Sequence, residues 1–166
     1  MKLELEHVYE RDLNSVLAAF FDEGHILEKN QRIGSRNVKV AELKRDDEAA
    51  KLVLEREVTV SGNVPGILAS FQREWNHVRQ EEHWFRKDEN EWHCEFRVRI
   101  EGVPAKIKGN MRLLNGDNSC VNQVSLQVRC DVPMLGKTIA RYLIDDSREK
   151  IEKEYSISRS LIQARG

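Results

Sequence analysis

The stretch Glu91-Trp92-His93-Cys94-Glu95-Phe96-Arg97-Val98-Arg99-Ile100-Glu101 decides the fold. Trp92, Cys94, Phe96, Val98 and Ile100 share one face, while His93, Glu95, Arg97, Arg99 and Glu101 share the other. A period of two is the pattern of a strand with one dry face and one wet face. The pattern continues downstream. Ala105, Ile107, Met111 and Leu113 oppose Lys106, Lys108, Asn110 and Arg112; then Val124, Leu126, Val128 and Cys130 oppose Gln123, Ser125, Gln127 and Arg129. Upstream, Val78, Gln80, Glu82 and Trp84 share one phase, read as the inward one. The runs are separated by Asp88-Glu89-Asn90, Gly102-Val103-Pro104 and Asn115-Gly116-Asp117-Asn118. Short turns between one-sided runs predict an antiparallel meander, with strands near 75–86, 91–101, 105–114 and 120–131.

Toward the N-terminus, residues 2–10 alternate, with Leu3, Leu5, His7 and Tyr9 on the apolar phase. Asp12 then precedes Leu13, Val16, Leu17, Phe20 and Phe21, the spacing of an amphipathic helix with an acidic cap, which Gly24 is expected to end. A second short helix is expected over 25–33. Val38 and Val40 start a strand that fades at Lys44-Arg45-Asp46-Asp47, and Leu52, Leu54, Val58 and Val60 form its hairpin partner. Ser61 to Gly66 reads as a loop, followed by a short apolar patch of Ile67, Leu68 and Phe71. After Val132-Pro133 the period becomes helical to the end, with an apolar stripe of Leu135, Ile139, Leu143, Ile151, Tyr155 and Ile162. This predicts one helix of about 25–30 residues, around 40 Å long. The intervening charges, from Lys137 to Glu154, read as its solvated face.

The chain has 166 residues, with 27 Lys and Arg against 28 Asp and Glu and a formal net charge of −1. That length suits one domain over 1–166. The near-balance of charge excludes the simplest nucleic-acid signature, a strongly basic domain. An apolar fraction of 40% argues against a disordered chain. No apolar run approaches the ~20 residues of a membrane span. The opening Met1-Lys2-Leu3-Glu4-Leu5-Glu6 lacks the apolar core of a signal peptide. Cys94, Cys120 and Cys130 make an odd count without CxxC spacing, which suits free thiols in a reducing, cytoplasmic compartment.

The element order resembles the helix-grip fold, an α+β arrangement in which a curved antiparallel sheet of six to seven strands wraps around a long C-terminal helix, with two short helices after the first strand. The sequence resembles the START-like superfamily, also called Bet v 1-like or polyketide cyclase/dehydrase-like, and more narrowly an uncharacterised bacterial family within it. The residues that carry this are Arg97-Val98-Arg99-Ile100-Glu101-Gly102-Val103-Pro104, Ile107-Lys108-Gly109-Asn110-Met111-Arg112-Leu113 and Val132-Pro133-Met134-Leu135-Gly136. These are turn and packing residues, so the resemblance speaks for fold rather than chemistry. It implies a cavity between sheet and helix, and apolar cavities are default ligand sites. Independently, a sheet with one apolar face needs a cover, and the long helix with two short ones is the cover this chain offers.

Polar residues on the apolar faces are the candidate ligand contacts. Arg56 shares the face of Leu52 and Leu54, where an unpartnered guanidinium is costly. It is expected to pair with Glu82 inside the sheet or to anchor the carboxylate or phosphate of an amphipathic ligand. His7 reads as a hydrogen-bonded core histidine or an acid–base group, and Tyr9 as its core neighbour. Trp84 and Trp92 are expected to wall the cavity.

A metal site is not expected. His77, His83, His93 and Cys94 lack compact ligand spacing, and His93 lies opposite the face of Cys94. Gly136-Lys137-Thr138 is no phosphate loop, because Asp131 stands where G-x-x-x-x-G-K-[ST] needs glycine. The outer cations Arg97, Arg99, Lys106, Lys108 and Arg112 read as a solubilising face, with an acidic partner or peripheral contact at a membrane surface as the sharper reading. The leading functional expectation is non-enzymatic binding or transport of a small hydrophobic or amphipathic, lipid-like molecule, without cofactor, catalytic residue or nucleic-acid partner. A cyclase/aromatase-type enzyme using the same cavity and a ligand-free protein-interaction module are the alternatives.

Overall fold

The computed structural model describes residues 1–59, 66 and 74–165. Strand β1 (Lys2–Tyr9) leads into helices α1 (Leu13–Phe20) and α2 (Glu23–Arg32). Strands β2 (Arg36–Arg45), β3 (Ala49–Val58), β4 (Asn76–Asp88), β5 (Glu91–Ile100), β6 (Lys106–Asn115) and β7 (Cys120–Arg129) follow, then helix α3 (Gly136–Ala164). All seven strands form one curved antiparallel sheet in the order β1-β7-β6-β5-β4-β3-β2. β2 to β6 are each paired with the next strand in sequence, and β7 also pairs with β1. The two short helices carry the chain from one rim of the sheet to the other.

The meander lies where alternation predicts it. Of the expected loop from Ser61 to Gly66 only Gly66 is described; its other residues, the apolar patch of Ile67, Leu68 and Phe71, and Val60 fall outside the described residues. Gly24 does not end the first helix. That helix stops at Phe20, and Gly24 sits in the first turn of α2. The reason is the Asp22 cap, whose Oδ2 accepts the His25 backbone N–H at 3.2 Å. A cap outweighs a helical glycine, which costs only about 1 kcal/mol. Asp12 holds the cap position of α1, but its carboxylate takes the Ser15 hydroxyl at 2.6 Å instead of a backbone N–H.

The inner face of the sheet buries Leu3, Trp84, Trp92, Cys94, Leu113, Leu126 and Val128. Leu13, Val16 and Leu17 of α1 join the same core. α3 spans 29 residues and seals the rest unevenly. Ile139, Ala140, Leu143 and Ile144 are buried near its start, and Ser158 and Ile162 near its end, but no residue from 147 to 157 is. Gly136 lets α3 begin close to the sheet, since a Cβ there would lie 2.3 Å from the Cys130 carbonyl oxygen. Among the described residues no helix is long and apolar enough to cross a membrane.

Gly109 sets a second close approach. It pairs with Phe96 across β5 and β6, and a Cβ at this position would come within 2.2 Å of the Ser125 carbonyl oxygen and 2.4 Å of Phe96 Cζ. The Phe96 ring therefore occupies the space that a side chain would need. Replacing Gly109 by Ala is expected to lower stability by about 1–3 kcal/mol through overpacking. In urea titration the midpoint should fall at constant slope. An unchanged midpoint would show that both the Phe96 ring and the β7 backbone at Ser125 give way freely.

Candidate functional site

A cavity of about 190 Å³ lies between the inner face of the sheet and the middle of α3. Its apolar wall includes Leu54, Phe96, Val98, Ile107, Val124 and Leu126. The helix side presents Ser147, Lys150, Ile151, Glu154, Tyr155 and Ser158. This explains the unevenly buried helix. Its ends meet the sheet with aliphatic side chains, whereas small or charged groups interrupt its middle and leave a hollow.

One wall of the cavity carries a connected polar chain. Trp84 Nε1 donates to Glu82 Oε1 at 2.8 Å, and Gln80 Nε2 donates to Glu82 Oε2 at 2.6 Å. Arg56 Nη2 donates to Gln80 Oε1 at 3.2 Å, and Arg56 Nη1 to Asn30 Oδ1 at 2.8 Å. Asn30 in turn donates to the Ile26 carbonyl at 2.7 Å. The expected direct Arg56–Glu82 contact is thus replaced by a link through Gln80. The register accounts for this, because Arg56 stands opposite Val78 while Glu82 stands opposite Leu52. Burial raises the Glu82 carboxyl above its ordinary range, against the pull of the Trp84 hydrogen bond and the Lys29 charge. Glu154 behaves in the opposite way. Burial pushes it up, but Lys29, whose Nζ lies 2.8 Å away, and Arg56 together hold it below the ordinary range.

His7 and Tyr9 reach the cavity from β1. The His7 ring stacks on Tyr155 with centroids 4.0 Å apart, and its Nε2 lies 2.7 Å from Glu152 Oε1. Tyr155 donates to the Val8 carbonyl at 2.6 Å, tying α3 to β1. Tyr9 packs edge-on against Phe20 and Tyr155, and burial first, then Glu154, pushes its phenol well above the usual value. The structure therefore brings His7, Tyr9, Arg56, Glu82 and Trp84 to one cavity. It does not bring Trp92, which does not line the hollow. Trp92 packs beside Phe21, with Arg45 over its ring. The strand phase sends Trp92 inward, but its place next to the β4–β5 turn puts it in the closed end of the core.

Several residues of the site went unread in the sequence. Asn122 continues the inward phase of Val124, Leu126 and Val128, and lines the cavity at 3% exposure. Its Nδ2 meets the Met111 sulfur at 3.5 Å, and its Oδ1 is buried with no partner among the described residues. Lys29, Asp146, Lys150 and Glu154 also face the hollow. Asp146 is buried beside Lys150, 2.8 Å away, so the charged side of α3 is not all solvated. Ser147 and Ser158 fall at core spacing in the apolar stripe, and that interruption was the available signal.

On the outer face, several cations stand opposite one another. Arg97 is registered with Lys108, Arg99 with Arg79, and Lys106 with Arg129. Elsewhere Arg112 reaches Glu91, and that contact, after the one with His93, holds the Glu91 carboxyl down at about 2. Among the described residues no cluster of three or more His, Cys, Asp or Glu side chains could hold a metal ion.

A family model described as "Protein of unknown function (DUF2505)" matches residues 4–162. No curated protein matches the sequence. Solved structures do match over nearly the whole chain. The Zhui aromatase/cyclase from Streptomyces sp. R1128 superposes with a TM-score of 0.66 at 11% identity, covering 99% of this chain and 94% of that one. Ara h 8.0201 gives 0.62 at 12% identity, with coverages of 99% and 98%. A START superfamily protein from Mycobacterium smegmatis gives 0.55 at 11% identity, with coverages of 98% and 97%. At these identities the likeness is one of fold, and the fold is START-like.

His25 of α2 ties that helix to α3. It is 5% exposed, with Nε2 3.0 Å from Ser158 Oγ. Burial, and then the charges of Lys29 and Arg165, push its imidazole from 6.5 down to about 4, against weaker opposing effects of Asp22 and Glu154. The unfolded chain takes up a proton between those values and the folded chain does not. This contribution to stability is therefore complete above pH 6.5 and is lost as pH falls to 4, about 3 kcal/mol in all. Urea midpoints should fall more steeply over this range for the wild type than for His25→Gln. Parallel profiles would remove His25 as the cause.

Proposed function

The chain belongs to the DUF2505 family and carries the START-like fold, and on that premise we propose that it binds a small hydrophobic or amphipathic molecule, non-enzymatically, in the cavity beneath α3. The observation that carries the reading is the hollow itself. Aliphatic and aromatic side chains wall a space of about 190 Å³ that the fold leaves unfilled, and a few fixed polar groups converge on it. That combination is the usual make-up of a ligand site. His7, Tyr9, Arg56, Glu82 and Trp84 are the contacts proposed for the occupant. Each already has a structural partner, which suits holding a molecule better than transferring protons to it.

Under this reading the whole chain acts as one binding domain. Its three free cysteines favour the cytoplasm, where thiols stay reduced. The likeness to an aromatase/cyclase lends the fold, and the reading takes no reaction from it.

Native mass spectrometry of gently purified protein should show a bound small molecule that organic solvent releases. Val98→Trp, which places an indole in the hollow, should reduce the bound fraction at least tenfold while circular dichroism stays native. Incubation with the protein should leave the mass of the released molecule unchanged. Loss of water from it would favour a cyclase. Equal occupancy of wild type and Val98→Trp would move the binding site elsewhere.

A further inference from the structure

We propose that the occupant is a ring-sized molecule without net charge that donates one hydrogen bond, and that Asn122 Oδ1 receives it. The inference rests on the cavity-binding reading and narrows it to a ligand class. It starts from an unfilled acceptor. Asn122 is almost wholly buried on β7, lines the cavity, and its amide oxygen has no donor among the described residues. Its amide nitrogen is engaged with the Met111 thioether, a weak acceptor. A buried carbonyl without a donor is a standing penalty; the oxygen exposes almost no surface of its own, so a ligand hydroxyl or N–H removes that penalty once the Asn122 amide turns toward the hollow. A site built this way discriminates strongly against analogues lacking the donor.

The size of the cavity sets the second condition. An apolar cavity of about 150 Å³ holds benzene, whereas drug-sized ligands occupy roughly 300–1,000 Å³. At about 190 Å³ the hollow takes one ring with a short substituent, and a long acyl chain would have to run out through its open side.

Charge sets the third. Lys29, Arg56 and Lys150 line the space, and so do Glu82, Asp146 and Glu154. Lys29 is bound to Glu154 and Lys150 to Asp146, each at 2.8 Å. The two Nη groups of Arg56 are held by Asn30 and Gln80. Those amides are neutral, so the charge of Arg56 is balanced only across the lining as a whole, where three cations face three carboxylates and leave little net positive charge to repay the desolvation of an anion. The Nε–H of Arg56 is also buried without a partner among the described residues, and a neutral oxygen suffices for one N–H. The anionic ligand expected from Arg56 alone therefore gives way to an uncharged one.

Titration of the wild-type chain at pH 7 with phenol, anisole, toluene and benzoate, followed by ligand-observed NMR, tests this. Phenol should bind at least tenfold tighter than anisole, whose oxygen cannot donate, and at least tenfold tighter than benzoate. Asn122→Leu should weaken phenol at least tenfold and leave toluene within about threefold. If Asn122→Leu fails to fold, the wild-type series decides by itself. Equal affinities for phenol and anisole would overturn the donor assignment and leave the cavity as a binding site. Benzoate binding tighter than phenol would overturn the charge assignment. If none of the four probes binds, the cavity-binding reading fails, and this inference fails with it.

Discussion

One face of seven strands has to be kept from water, and one long helix does much of the covering. A twisted, curved sheet and one long helix do not match along their whole length. The aliphatic side chains of α3 gather where they meet, at Ile139 to Ile144 and again at Ile162. Between these anchor points serines and charged residues interrupt the apolar stripe, leaving Ile151 and Tyr155 only partly buried. Close packing would be the more stable solution, because an unfilled interior forfeits dispersion contacts. The hollow is thus a departure from the densest packing at the place where the polar groups converge.

Those polar groups also hold the helix in position. Lys29–Glu154 and His25–Ser158 join α3 to α2, while His7–Glu152 and Tyr155 with the Val8 backbone join it to β1. Bonds of this kind are directional, whereas aliphatic packing tolerates sliding. A helix held along its middle by such bonds can stand off from the sheet without collapsing onto it. Lys29 and Glu154 are half-buried, so removing either partner leaves the other charge poorly compensated.

The fold was largely legible in the sequence, because period-two alternation reports which side of a strand is dry wherever that side is buried. It placed Arg56 and Glu82 inward. It could not give their lateral register, which depends on how β3 slides against β4, so the relay through Gln80 was invisible. Trp92 shows a related limit. Phase tells in from out, but not whether a position lies over the hollow or over the packed end of the core. Asn122 is readable by extending the phase of Val124 back by two residues, but a polar side chain at the end of an apolar run carries no sign that it faces a hollow. On α3 the charges that face inward and those that face solvent look alike, since their partners lie on elements distant in the chain. Gly24 misled because a helix breaker and the first turn of a new helix use the same residue.

Among the described residues the strand order also leaves β1 and β2 each with one unpaired side. An open rim is a template on which a second chain can add itself as a further strand and start a fibre. Here both rims carry protection. β2 loses register twice against β3, takes a left-handed backbone at Asn37, and is studded with Arg36, Lys39, Lys44 and Arg45. β1 alternates Lys2, Glu4 and Glu6 toward water. A fold that keeps a hollow interior, and gives up some cohesion to do so, opens more readily than a solid one, and these irregular, charged borders keep such openings from ending in aggregation.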